Sequence, residues 1–265
     1  MEYLGLGLAI FVGISLGLTG SGGAILAVPI LVYIMRIPPE IATFYSLFIV
    51  GFTALIGVLK YVRQKLISYE IALGFAIPSV MGVLLARKLF LPQIPDTIFT
   101  LALNSNFLVT KRLLLMILFS LLMLLSSVTM IRDKKSETGE ITKLRLMPLV
   151  MQGMGVGFLT GLVGAGGGFL IIPALVKFAK IPIYKAIGTS LFIITLNSWL
   201  GFVGDIGRMP VDWMLLLSFT LFTALGIIIG GNLAQKVPAT KLKPIFGWFV
   251  LCIGSYILIK EIFFA

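Results

Sequence analysis

The chain has no histidine, one cysteine and ten carboxylates in 265 residues. Without histidine there is no imidazole base, so a serine hydrolase inside the membrane is disfavoured even though Ser21 lies between glycines. Cys252 alone cannot form an intrachain disulfide, so cysteine usage does not report a redox compartment. Charged residues make up 12% of the chain, and none falls within its long apolar runs. An intramembrane ionisable group usually marks a cation site or proton relay, and its absence argues against a metal or organic cation as substrate. No Lys followed by Ser or Thr comes after a glycine cluster, so a phosphate-binding loop and ATP use are not expected. Nothing implies a cofactor or a bound metal. Trp199, Trp213 and Trp248 suit interface belts or bundle packing better than a cofactor box.

What is abundant is apolar surface. Hydrophobic residues are 59% of the chain, and the mean hydropathy is +1.12. Uncharged runs at Ile41–Leu59, Ile71–Ala86, Leu113–Ile131, Ala186–Gly204, Trp213–Gln235 and Pro244–Ile259 each approach the roughly 20 residues of a membrane-crossing helix. Short polar loops separate them. The expected fold is an all-α polytopic membrane protein. The net charge of +11 is confined to those loops, as positive-inside bias requires, and does not indicate nucleic acid. The apolar N-terminal stretch lacks a basic leader and matches an internal copy, so it is expected to belong to the fold.

That internal copy organises the chain. Gly13–Ile49 and Gly157–Ile193 align without a gap at an offset of 144 residues, with 17 of 37 positions identical. Two halves are expected, residues 1–131 and 147–265, joined by a polar cytoplasmic linker at 132–146. Leu89–Thr110 has no counterpart of equal length in the second half and is expected outside or in the interface.

The charge-free stretches Tyr3–Met35 and Leu146–Val176 are too long for one straight crossing and too short for two. Two short helices meeting at a glycine break fit. If each stretch crosses once, the repeats are parallel, and 10 of the 21 Lys and Arg are cytoplasmic against 11 outside. If each is a re-entrant hairpin followed by three crossings, the repeats are inverted, with 14 inside against 7 outside. The inverted arrangement obeys the positive-inside rule.

A broken helix inside a membrane leaves unpaired N–H groups and a partial positive charge that must face protein, water or ligand. Gly20, Gly22 and Gly23, with Thr19 and Ser21, form the first break. Gly164, Gly166, Gly167 and Gly168, with Ala165, form the second. Helices resuming at Ala24 and Phe169 would aim two N-termini at a small anion. The candidate hydroxyl and amide donors are Thr19, Ser21, Ser46, Thr189, Ser190 and Asn197, weighed against hydroxyls that bond back to their own helix. Gly13/Gly17, Gly153/Gly157/Gly161 and Gly226/Gly230 have the spacing of helix-packing glycines instead. Glu40, Arg36, Lys180 and Lys185 flank the matched proline turns as interfacial charges, with Glu40 or Lys185 as an alternative gate.

With its paired motifs GLTGSGGAILAVP and GLVGAGGGFLIIP, its Ile-Pro turns, the GTSL of Gly188–Leu191 and a basic central loop, the chain resembles the TauE/SafE family. These are bacterial and archaeal sulfite and organosulfonate exporters. The resemblance covers nearly the whole chain and implies export of sulfite, sulfoacetate or a related small anion across the cytoplasmic membrane. The first copy departs from the fuller glycine pattern. Ser21 and Ala24 stand opposite Ala165 and Gly168, and Phe44–Tyr45–Ser46 opposite Gly188–Thr189–Ser190, which makes the site asymmetric. Uptake, another carboxylate or inorganic anion, and proton coupling through the anion or Glu40 stay open, as does a homodimer. A membrane scaffold would not explain two costly broken helices.

Overall fold

A computed structural model describes residues 2–20, 23–95, 97–103, 105–132, 146–164, 166–179, 181–234 and 239–263. Ser21, Gly22, Ala165 and most of the linker lie outside the described residues. Helix α1 spans Glu2–Thr19, and α2 spans Gly23–Pro29 and continues as a π-helix over Ile30–Ile34. Then come α3 (Pro39–Arg63) and α4 (Tyr69–Leu85), the latter extended by a π-turn at Ala86–Phe90 and the short α5 (Leu91–Gln93). After α6 (Lys111–Arg132), the second half repeats the order with α7 (Leu146–Val163), α8 (Gly168–Phe178), α9 (Ile183–Asp205), α10 (Trp213–Leu233) and α11 (Ala239–Phe263).

Helix starts follow local chemistry. Pro38 and Pro182 occupy matched N-cap positions with extended ψ, a geometry that stops a preceding helix and seeds the next. Asp212 caps α10 by accepting from the Leu215 N–H at 3.1 Å. Five helices among the described residues are long and apolar enough to cross a membrane: Pro39–Arg63, Tyr69–Gln93, Lys111–Thr129, Tyr184–Asp205 and Trp213–Leu233. Exposed Leu73, Ile77 and Met81 on α4, and Leu217, Leu221 and Leu225 on α10, recur every four residues and form lipid-facing stripes. The chain is therefore an all-α multi-pass membrane protein. The described residues also hold one strand pair, Thr97–Leu103 against Ser105–Thr110, which is antiparallel and lies in the segment without a counterpart in the second half.

Each half packs chiefly against the other. Helix α1 lies along α10 and α7 along α4, while α3 crosses α9 and α6 pairs with α11. Exchanging equivalent helices maps the first contact onto the second and the other two onto themselves, so the halves are related by a pseudo-twofold and are not separately packed bodies. Glycines permit the close approach. A methyl at Gly13 would stand 2.0 Å from the Thr223 carbonyl oxygen, and one at Gly157 would stand 1.9 Å from that of Ser79. Ser79 and Thr223 are themselves 144 residues apart. Gly226 and Gly82 abut the Ile10 and Met154 carbonyls in the same exchanged way. Packing is the role of Gly13, Gly157 and Gly226, as their spacing suggests.

The chain folds back on itself at the first break. Gly5, near the start of α1, lies against the Met35 side chain at the far end of the π-helix. Gly23 lies against the backbone of Val12 and Leu16.

Candidate functional site

Gly20 and Gly164 end the two short N-terminal helices in the same conformation, with φ of +70° and +71°. Each donates its N–H to the carbonyl four residues back, Leu16 and Thr160, at 2.8 Å. This is a left-handed helix stop, which costs glycine little and other residues about 1–2 kcal/mol. A side chain at either position would also collide with the opposite half. At Gly164 a Cβ would lie 2.4 Å from Thr43 Cβ and at Gly20 2.4 Å from Ile187 Cγ2.

The carbonyls freed by these stops are held from across the pseudo-twofold. Ser190 Oγ on α9 donates to the Gly20 carbonyl at 3.2 Å, and Ser46 Oγ on α3 donates to the Gly164 carbonyl. Both serines are fully buried. Each also lies 2.8 Å from a carbonyl of its own helix, Thr43 for Ser46 and Ile187 for Ser190. One hydroxyl proton is thus shared between two acceptors, and the serines brace the breaks. Past the second break, Gly166 and Gly167 keep positive φ, and α8 starts at Gly168 with no side-chain cap on its N-terminus. Helix α2 starts at Gly23, one residue earlier than the sequence suggests, as α8 does.

The remaining candidates scatter over two further layers. Thr19 donates to the Ser15 carbonyl at 2.8 Å, a bond back to its own helix. Thr189 is buried away from the break and accepts from the Ser68 N–H at 3.1 Å, holding the start of α4. Its counterpart Tyr45 accepts from the Asp212 N–H at 2.7 Å and holds the start of α10. Asn197 Nδ2 donates to Ser79 Oγ at 2.7 Å, tying α9 to α4. The equivalent tie in the other half joins Thr53 to Thr223 at 2.7 Å. Asn197 Oδ1 is buried with no hydrogen-bond partner among the described residues. Glu40 pairs with Lys111 at 3.2 Å.

Two features were missed in the sequence. Ser198 Oγ is buried without a partner among the described residues, and a Cβ at Gly166 would come within 2.8 Å of it. Buried hydroxyls are nearly always bonded, so an unpartnered one beside the second break stands out. The second feature is a fully buried ion pair. The Arg87 Nε donates to the Asp205 carboxylate, and Arg87 Nη1 donates to the Gly161 carbonyl at 3.1 Å. Arg87 is expected in a polar loop. The π-turn at Ala86–Phe90 instead turns it inward, where Asp205 at the end of α9 meets it. The described residues hold no cluster of three or more metal-ligating side chains.

Residues 5–257 match the family of the sulfite exporter TauE/SafE. A probable membrane transporter protein of Xylella fastidiosa (strain 9a5c) is 28% identical over 254 residues, covering 93% of this chain and 91% of its own length. The probable membrane transporter protein YunE of Bacillus subtilis (strain 168) is 28% identical over 267 residues, covering 93% of each. A probable membrane transporter protein of Methanocaldococcus jannaschii is 27% identical, covering 91% of this chain and 92% of its own. No solved structure matches the chain.

Proposed function

The chain belongs to the sulfite exporter TauE/SafE family of membrane transporters, and on that premise we propose that it is a secondary transporter exporting a small sulfur-containing anion across the cytoplasmic membrane. Sulfite, or an organosulfonate such as sulfoacetate, would pass between the two glycine breaks. The observation that carries this reading is the reciprocal brace, in which Ser46 reaches the Gly164 carbonyl and Ser190 the Gly20 carbonyl. Two interrupted helices in equivalent places of the two repeats, each braced by the opposite half, match the discontinuous helices with which secondary transporters bind substrate. New helices begin at Gly23 and Gly168, and their N-termini favour negative charge. No carboxylate lies within either break to oppose an anion.

With the repeats inverted in the bilayer, exchange of equivalent packing between halves would open the site to alternate sides, without ATP. Lys60, Arg63 and Lys65 then face the cytoplasm with the central linker, and Arg87, Lys88 and Arg208 face outward. The purified protein in proteoliposomes is expected to carry radiolabelled sulfite and sulfoacetate saturably without nucleotide. It should leave choline and magnesium untransported. Flux of cations alone would contradict the proposal.

A further inference from the structure

The ion pair at one end of the bundle has an empty-handed twin at the other. At the offset of 144 residues, Arg87, Asp205 and Gly161 correspond to Gly231, Tyr61 and Gly17. In the first set the guanidinium spans the gap between the carboxylate and the glycine carbonyl, and both charged side chains are sealed from solvent. In the second set all three residues line a cavity of about 360 Å³. No side chain projects from position 231 to fill it. A methyl there would meet only Lys60, at 3.6 Å. The same backbone frame is therefore plugged at one end and open at the other.

The open end is cationic. Lys60 and Arg63 line the cavity, and neither forms an ion pair among the described residues. Lys60 Nζ donates to the Gly231 carbonyl at 2.5 Å and to Asn232 Oδ1 at 3.2 Å. Among the described residues no carboxylate compensates its positive charge. The cavity also includes Gly17 and Leu191. Gly17 lies one helical turn before the Gly20 stop, and Leu191 follows Ser190, which braces that stop. A volume of this size holds a small oxyanion with several waters, at about 30 Å³ per water.

We propose that this cavity is the cytoplasmic vestibule of the transport path, where Lys60 and Arg63 bind the incoming oxyanion before it reaches the glycine breaks. The structure stands open at this end and shut by Arg87 and Asp205 at the other. The inference rests on the anion-transport reading and adds to it a second, outer binding site with its own residues. Lys60, in the last turn of α3, also ties that helix to a carbonyl in the last turn of α10. Among the described residues Arg63 makes no hydrogen bond to that helix, so the pair of residues separates the two roles.

The test is initial sulfite flux into proteoliposomes against sulfite concentration for wild type, Lys60→Gln, Arg63→Gln and Lys60→Arg. An ammonium or guanidinium contact to an anion at a half-exposed site, discounted for screening, corresponds to about a fivefold rise in KM. The expected result is that rise for both glutamine variants, with kcat held within about twofold and KM restored in Lys60→Arg. Gly231→Leu, whose Cβ would meet only the flexible Lys60 side chain and whose remaining carbons would enter the cavity, is expected to slow flux without loss of folded protein. Unchanged KM in both glutamine variants, or a fall in kcat alone, overturns the vestibule while leaving anion transport standing. A wild-type protein that carries neither sulfite nor sulfoacetate overturns both.

Discussion

Gly166→Val is expected to abolish anion flux while leaving the protein inserted and folded. Gly166 has a φ of +62°, where a β-branched residue is a genuine outlier costing about 1–3 kcal/mol. Its Cβ would meet Ser198 Oγ at 2.8 Å and Val50 Cγ1 at 2.9 Å. Both are side-chain atoms that can move. The fold therefore survives, but the backbone at the second break is pushed away from Ser198 and Val50 and its positive-φ conformation is disturbed. Gly164→Val behaves differently, because its Cβ would fall 2.5 Å from the Thr43 backbone oxygen. That variant should lose folded yield as well as flux. Expression, detergent extraction and size-exclusion profiles, read beside proteoliposome flux, separate the two. Parallel loss of yield in both variants would make Gly166 a packing glycine.

Asp205→Ala is expected to destabilise the protein by about 3–5 kcal/mol, the range for removing one partner of a buried pair. The substitution leaves Arg87 charged and enclosed, with only the Gly161 carbonyl and no counter-ion. Arg87→Met with Asp205→Leu removes both charges and keeps most of the volume. It should recover most of the loss, since apolar replacements of buried pairs are often neutral or better. Unfolding of the purified variants in detergent, by heat or denaturant, measures both values. Equal stability of Asp205→Ala and wild type would mean that the pair is solvated and does not seal that end.

The offset of 144 residues made more of the site legible than any single motif. It paired Gly20 with Gly164 and Ser46 with Ser190, and the structure joins them crosswise in two separate bonds, Ser46 to Gly164 and Ser190 to Gly20. It also marked Gly13 and Gly157 as packing positions. The faces of the long helices were not legible, because α9 is apolar nearly all round and gives no amphipathic stripe to orient it. Thr189 and Ser190 are adjacent in sequence, yet one holds the start of α4 and the other the break. The same offset, applied to polar residues, links Thr53 with Asn197 and Ser79 with Thr223. Both helix ties follow from that correspondence, which the glycine-centred comparison passed over.

Arg87 illustrates a different limit. Charge next to an apolar run ordinarily means interface, and only the inward π-turn after α4 makes it interior. Its partner is 118 residues away in a separate helix, and neither residue has a charged counterpart in the other half. The strand pair at Thr97–Thr110 has no repeat to anchor its interpretation either. Both departures from the repeat are therefore the places where a duplicated sequence stops informing on itself.

Direct titration of the purified protein with sulfite and sulfoacetate, beside choline and magnesium, tests the central claim that the paired breaks hold a small anion. Saturable binding of the sulfur anions to wild type, weakened at least about tenfold in Gly166→Val and in Gly22→Val so that only the weaker outer site remains, is the predicted result. Binding of the cations alone, or sulfite binding that persists unchanged in both variants, would contradict it.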